Sequence, residues 1–231
     1  MLVVGFPAAA FATNCYVLAP APGQECLVVD PGLGVLDQLG ETLATHRLRP
    51  AAVLLTHGHI DHVASVTPVC AGGGVAAHLH GADRYRLADP FATLDPALRH
   101  MLAEQFEPVR SWTEPSDVVE LTDGATLQLA GLSVRVVHAP GHTEGSVLFC
   151  LPGEGGEPPT CLTGDVLFAG AIGRTDLPGG DAQAMRHSLA TRVLPMPDET
   201  RVLPGHGPST TMARERASNP FLLELAGAPP A

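Results

Sequence analysis

Short apolar runs alternate with turn-forming residues along the whole chain. In the first part, residues 3–4, 16–18 and 27–29 predict strands, residues 35–46 predict a helix, and residues 51–55 predict a short buried strand. The pattern then predicts a helix over 63–70, its end at the three glycines 72–74, and a strand over 75–78. This order of elements is typical of an α/β fold.

The second part of the chain repeats the strand-rich pattern after an irregular segment. Residues 80–115 lose clear periodicity, and we expect them to be partly helical and to shape a substrate pocket. The remaining pattern predicts strands at 126–129, 133–137, 146–150, 160–162 and 201–203, a hairpin loop at 152–159, and helices at 182–193 and 212–217. Two strand-rich halves with flanking helices predict two sheets packed face to face between helical layers.

Size and charge limit the classes of function. The 231 residues, 45% of them hydrophobic, are enough for one substantial core, so we expect a single domain over 1–231. The net charge is −11 and every basic residue is an arginine, so we expect no nucleic-acid partner. The apolar residues 1–11 lack a positive flank, and we expect neither a signal peptide nor a membrane span. Five cysteines scattered through apolar runs indicate reduced core residues of a cytoplasmic protein.

A dense group of metal-binding residue types directly follows the predicted strand 51–55. His57, His59, Asp61 and His62 lie within seven residues, and imidazole and carboxylate are ligands that zinc and similar metals accept. Four donors exceed what a single catalytic metal takes from one segment, so two metals are predicted. The alternative interpretation is a solvated polar loop in which Asp61 caps the following helix.

Three further donors follow predicted strands, and each comes directly after a glycine that lets the backbone turn sharply. They are His142, Asp165 and His206. The seven donors fit a binuclear centre in which one metal is held by His57, His59 and His142, the other by Asp61, His62 and His206, with Asp165 bridging. Two metals about 3.5–4 Å apart share a water and lower its pKa, which is an arrangement for hydrolysis.

With these residues the chain resembles the metallo-β-lactamase superfamily and, within it, the glyoxalase II-like (hydroxyacylglutathione hydrolase-like) metallo-hydrolases. Besides the metal motifs, the resemblance is carried by residues 14–16, 30–32, 173–176, 204–210 and 219–221. It implies the αββα sandwich, with two mixed sheets packed face to face and helices outside. Broad-spectrum metallo-β-lactamases carry cysteine at the position of Asp165 and lack the histidine after Asp61, so the resemblance disfavours antibiotic hydrolysis.

The resemblance implies a thioesterase that acts on a 2-hydroxyacyl thioester of a low-molecular-weight thiol. Asp61 and Asp165 would be catalytic together with a hydroxide shared by two divalent metals, preferably zinc, although iron and manganese accept the same donors. Asp30 either supports a ligating histidine or only forms its turn, and Arg174 and Asp176 are expected to form a structural ion pair rather than border the site. Only 25 of the 231 residues follow His206, so we expect no C-terminal helical domain of the full glyoxalase II type, and the thiol carrier stays open.

Two other activities fit the same donors. Persulfide dioxygenases resemble the chain in fold and ligand set, and would use one iron on His57, His142 and Asp165. An ester or lactone hydrolase of the same fold is the second alternative. The residues 205–210 favour hydrolysis over oxygenation. The expected partner is a small-molecule substrate, with no membrane; the pattern does not specify an oligomeric state.

Overall fold

The computed structural model describes residues 1–92, 94–153 and 155–227. The chain forms two compact units, Met1–Leu121 with Gln128–Leu132, and Thr122–Leu127 with Ser133–Ala231. That the whole chain is a single domain stays a prediction. Among the described residues, none of the helices is long and apolar enough to cross a membrane.

The first unit is built on a six-stranded sheet with the strand order β1-β2-β3-β4-β5-β6. Strands β1 to β3 pair antiparallel and β3 to β6 pair parallel. The strands are β1 Leu2–Pro7, β2 Asn14–Ala19, β3 Glu25–Val29, β4 Arg49–Leu54, β5 Ala77–His80 and β6 Val118–Leu121. Because β3 and β4 are parallel and pair Val29 with Leu54, the residues that follow both strands lie at the same edge of the sheet.

The helices of the first unit follow the predicted order with one difference. Helix α1 at Leu36–His46 confirms the predicted helix, whereas the helix predicted over 63–70 is two short helices, α2 at Ile60–Val63 and α3 at Val66–Gly73. Helix α3 is followed by Gly74 as its C-cap, whose φ of +63° is the left-handed conformation expected of a terminating glycine. The segment 80–115 is partly helical as expected, with a 3-10 helix Gly81–Leu87, α4 Pro96–Gln105 and α5 Glu107–Arg110.

The second unit contains most of a sheet with the order β12-β11-β10-β9-β8-β7. The strands are β7 Thr126–Leu129, β8 Leu132–His138, β9 Val147–Leu151, β10 Thr160–Gly164, β11 Arg201–Pro204 and β12 Thr210–Thr211. Strand β10 is buried along its whole length, pairs antiparallel with β9 and parallel with β11, and ends directly before Asp165. Helix α6 at Ala182–Ser188 continues as a π-helical turn, Leu189–Val193, and is followed by α7 at Met212–Ser218 and α8 at Pro220–Gly227.

Each unit has a buried apolar core that holds its loops in place. In the first unit Val17, Val28 and Val53 are completely buried on adjacent strands. In the second, Leu148 of β9 and Val202 of β11 are completely buried in one cluster with residues of the helices. The polar donors therefore extend from the ends of strands that are themselves fixed by burial.

Candidate metal centre

The four predicted donors of the first unit lie close together after β4. His57 and His62 are completely buried, with ring centroids 4.1 Å apart, and the centroid of His59 is 4.8 Å from that of His57. The Nε2 atom of His62 lies 3.4 Å from the Oδ2 atom of Asp61. A solvated polar loop is therefore wrong for this segment. Helix α2 begins at Ile60 with His59 as its N-cap, so Asp61 does not cap it.

The carboxylate of Asp30 contacts the Nδ1 nitrogen of His62. This carboxylate is 2% exposed, lies 2.9 Å from His62 Nδ1, and accepts hydrogen bonds from the Thr56 backbone N–H at 2.8 Å and the Thr56 hydroxyl at 2.6 Å. A histidine that donates from Nδ1 to a carboxylate presents Nε2 as its ligand atom. The supporting contact predicted for Asp30 is confirmed. The residue also makes a turn, because its φ is +50°.

Two other buried polar residues support this segment and were not predicted from the sequence. The Thr13 hydroxyl donates to Asp61 Oδ2 at 2.9 Å, and Asp83 accepts a hydrogen bond from the Gly58 backbone N–H at 2.8 Å. Both side chains are completely buried. A side chain at position 58 has no room, since a Cβ there would lie 2.8 Å from Cδ of Arg86. The conformation of the loop is thus specified by contacts with residues far away in the sequence.

In the second unit, one carboxylate oxygen of Asp165 lies close to both other predicted donors, His142 and His206. Asp165 Oδ2 lies 3.5 Å from Nε2 of His142 and also 3.5 Å from Nε2 of His206. The Nδ1 atom of His142 is 2.8 Å from the backbone carbonyl oxygen of Arg174, so that nitrogen is the donor and Nε2 is the ligand atom. The glycines before two of the donors have the positive φ that the predicted turns require, +143° at Gly141 and +47° at Gly164.

These separations fit metal ligation. Two donors that each bind a tetrahedral ion at about 2.0–2.2 Å lie about 3.4 Å from one another. The pair in the first unit is 3.4 Å apart and both pairs in the second are 3.5 Å apart. Imidazole nitrogen with carboxylate oxygen suits zinc, iron and manganese, so the donors fit a metal without specifying which one.

The seven predicted donors stand out from the other polar residues of the chain. In the part of the chain that the structure describes, the histidine, cysteine and acidic side chains that form groups able to hold a metal ion are His57, His59, Asp61, His62, His142, Asp165 and His206. Their division between two ions, with Asp165 bridging, stays a prediction.

Arg174 and Asp176 form the ion pair that was predicted for them. The guanidinium Nε lies 2.7 Å from the carboxylate of Asp176, and both side chains are exposed. The hydrogen bond from Arg174 lowers the pKa of Asp176 to about 2. The contribution of Arg174 to the donors is its backbone carbonyl, which fixes the ring of His142.

Residues 8–206 match the family model of the metallo-beta-lactamase superfamily. The chain is 47% identical to an uncharacterized protein of Mycobacterium tuberculosis, with 96% of this chain and 98% of that protein covered. It is 34% identical to the hydroxyacylglutathione hydrolase GloC of Haemophilus influenzae, with 94% and 95% covered.

Solved structures agree with this match. The crystal structure of BLEG-1, a B3 metallo-beta-lactamase, has a TM-score of 0.79 and 34% identity, and covers 96% of this chain and 99% of its own. The structure of TTHA1623 in a di-iron-bound form has a TM-score of 0.77 and 36% identity, and covers 95% and 100%. The predicted sandwich fold of two mixed sheets with helices is confirmed. The chain belongs to the metallo-beta-lactamase superfamily.

Proposed function

We propose that the protein is a cytoplasmic, binuclear metal-dependent hydrolase that cleaves a 2-hydroxyacyl thioester of a low-molecular-weight thiol. One observation carries the binuclear part of the proposal. A single oxygen of Asp165 lies at the same distance, 3.5 Å, from His142 and from His206. That is the arrangement expected of a carboxylate oxygen shared by two ions, each of which also binds one of the histidines.

In this proposal His57, His59 and His142 hold one ion, and Asp61, His62 and His206 hold the other. Zinc is the preferred metal, and iron and manganese accept the same donors. When bound, two such ions lower the pKa of a shared water towards neutrality and stabilise the negative charge that develops on the acyl oxygen.

The protein residues around the donors keep them ready for this chemistry. The negative charge of Asp30 keeps the proton of His62 on Nδ1, because a neutral imidazole that donates to a carboxylate is stabilised in that tautomer. The Thr13 hydroxyl fixes Asp61 through Oδ2, so the carboxylate is held in one orientation. A carboxylate held in this way accepts a hydrogen bond from a water and orients it towards the substrate carbonyl.

The thioester part of the proposal rests on similarity and not on the geometry. GloC, which is 34% identical over 94% of this chain, is a hydroxyacylglutathione hydrolase, and residues 205–210 also favour hydrolysis. BLEG-1 has the same level of identity and is a metallo-beta-lactamase, so a β-lactam belongs among the substrates to be tested.

The experiment measures metal content and substrate turnover on the same preparation. Protein purified without added metal is assayed in parallel with lactoyl thioesters of several low-molecular-weight thiols, a lactone, a β-lactam, and a persulfide under oxygen-uptake measurement. We expect thioester hydrolysis with at least a hundredfold preference over the lactone and the β-lactam. Persulfide-dependent oxygen uptake without thioester turnover would replace the proposal with the dioxygenase alternative.

The Asp165→Ala variant tests the bridging residue against a matched control. We expect it to lose at least one metal per chain and more than about 100-fold in turnover, beyond the 10–100-fold typical of outer-shell partners. Asp176→Ala removes an exposed carboxylate that is ion-paired with Arg174 and should keep both metals. Full metal content and activity in Asp165→Ala would contradict the assignment.

A further inference from the structure

Two cysteines of the second unit lie side by side on adjacent strands. Cys150 of β9 is paired directly with Cys161 of β10 in the antiparallel register, and their Sγ atoms are 2.9 Å apart. Both are free thiols. The interpretation of the cysteines as separate core residues therefore misses a dithiol.

Only one thiol of this pair is open to solvent. Cys161 is 1% exposed, whereas Cys150 is half-buried and lines a surface cavity of about 370 Å³. Arg135 and Arg192 line the same cavity, and Arg135 is the residue of β8 that pairs with Cys150 in register. Arg192 is paired with Asp123 at 2.9 Å, so a small anionic molecule that enters the cavity would meet the guanidinium of Arg135 and the sulfur atom of Cys150.

The two thiols differ in their acidity. The hydrogen bond from Cys161 lowers the pKa of Cys150, and the nearby charge of Arg135 lowers it further. The same hydrogen bond, together with burial, raises the pKa of Cys161 well above its ordinary value. Cys150 is therefore the more acidic of the two thiols, and thiolates are the reactive form in exchange with disulfides.

The other three cysteines are poor nucleophiles by comparison. Burial raises the pKa of Cys15 far above its ordinary value, that of Cys26 to about 12 and that of Cys70 to about 11. All three are buried in the core of the first unit. Within the chain they serve as internal controls for the reactivity of Cys150.

The register of β9 and β10 places Cys150 and Cys161 directly opposite each other. Residues directly opposite each other in an antiparallel pair have Cα atoms about 4.5 or 5.5 Å apart. A disulfide requires a Cα separation of about 4.4–6.8 Å. The direct pairing of Cys150 with Cys161 therefore corresponds to a Cα separation in the range of disulfides.

We propose that Cys150 and Cys161 are a site of reversible thiol–disulfide exchange with low-molecular-weight disulfides. The Cys150 thiolate attacks one sulfur of the small disulfide, forms a mixed disulfide and displaces one thiolate. Cys161 gives its proton to that thiolate and attacks the Cys150 sulfur, which breaks the mixed disulfide and releases the second thiolate to be protonated by solvent. In sum, two cysteine thiols are oxidised to one intramolecular disulfide, and one small disulfide is reduced to two thiols.

The test uses the full-length reduced protein with glutathione disulfide as the probe, followed by alkylation and peptide mass mapping. We expect a linked Cys150–Cys161 peptide pair, two hydrogens lighter than the reduced pair and restored by dithiothreitol, with Cys15, Cys26 and Cys70 still alkylatable after denaturation. In the native protein, iodoacetamide should modify Cys150 at least ten times faster than Cys70.

Variants separate the two steps. Cys161→Ser should accumulate the glutathione adduct on Cys150, Cys150→Ser should form neither adduct nor link, and Cys70→Ser should behave as the wild type. If both thiols of the wild type remain alkylatable after exposure to glutathione disulfide, or if the adduct forms on another cysteine, the proposal is wrong. The wild-type mapping decides the matter even if a variant fails to fold, and it is independent of hydrolase activity.

Discussion

Replacing Asp30 by asparagine should weaken metal binding without disturbing the backbone. Asp30 has a φ of +50°, and asparagine accepts this left-handed conformation as readily as aspartate does. The variant keeps one acceptor for the Thr56 backbone N–H but loses the negative charge that faces Nδ1 of His62. With an amide there, His62 can move its proton to Nε2, the nitrogen that is to bind the metal.

The expected size of the effect follows from the contacts. Loss of an outer-shell partner of a ligating histidine typically lowers metal affinity by about 10–100-fold. That is about 1.4–2.7 kcal/mol of binding free energy for the ion held by His62. The metal-free protein should also lose about 1–3 kcal/mol of stability, because the buried hydroxyl of Thr56 and the ring of His62 lose their charged acceptor.

Zinc titration of the metal-free protein against a competing chelating dye measures this directly. The wild type should show two binding events, and Asp30→Asn should weaken one of them. Asp37→Asn makes the same chemical change at an exposed position in the first turn of α1 and should leave both unchanged. Two unaltered affinities in Asp30→Asn would refute the supporting role of Asp30.

Three further changes test other parts of the account. Gly141→Ala should lower metal content and thermal stability, because the φ of Gly141 is +143° and a Cβ there would lie 2.4 Å from the backbone of α6. The control is Gly40→Ala in α1, where a Cβ has free space, and it should stabilise the protein to urea by about 0.5–1 kcal/mol. Thr13→Val should weaken one zinc affinity by roughly tenfold in the dye titration, since it removes the hydroxyl that fixes a ligating carboxylate. The pKa of Asp123 is lowered, mainly by the hydrogen bond from the backbone N–H of His138. The charged carboxylate therefore stabilises the folded protein above the ordinary carboxyl pKa, and this stabilisation is lost as the pH falls through the lower pKa of the folded state. Asp123→Asn should accordingly destabilise the protein to urea at pH 6 and less so near pH 3.

The sequence was sufficient to predict the metal donors, because these residues are grouped in short segments. The donors could be recognised because each group of them follows an apolar strand and four of the seven directly follow a glycine. Helix α1 could be recognised from its length and pattern. Strand β6 was missed because it has only four residues, of which one is buried, and α8 was missed because it begins directly after α7 at Pro220. Such short elements depend on neighbours that a local pattern does not show.

The supporting residues could not be recognised for a related reason. Thr13 and Asp83 are polar residues in segments without a motif, and only the folded chain brings them to the Asp61 carboxylate and the Gly58 backbone. The dithiol depends on the register of β9 and β10, which the spacing of the two cysteines does not specify.

The number of metal ions per chain distinguishes a binuclear centre from a mononuclear one. Protein expressed in rich medium and purified without added metal or chelator is analysed for zinc, iron and manganese by mass spectrometry against its protein concentration. A binuclear centre shared through Asp165 predicts a sum close to two ions per chain, with at least one ion per chain lost in Asp165→Ala. A sum of one that does not rise when zinc is added would contradict the binuclear centre.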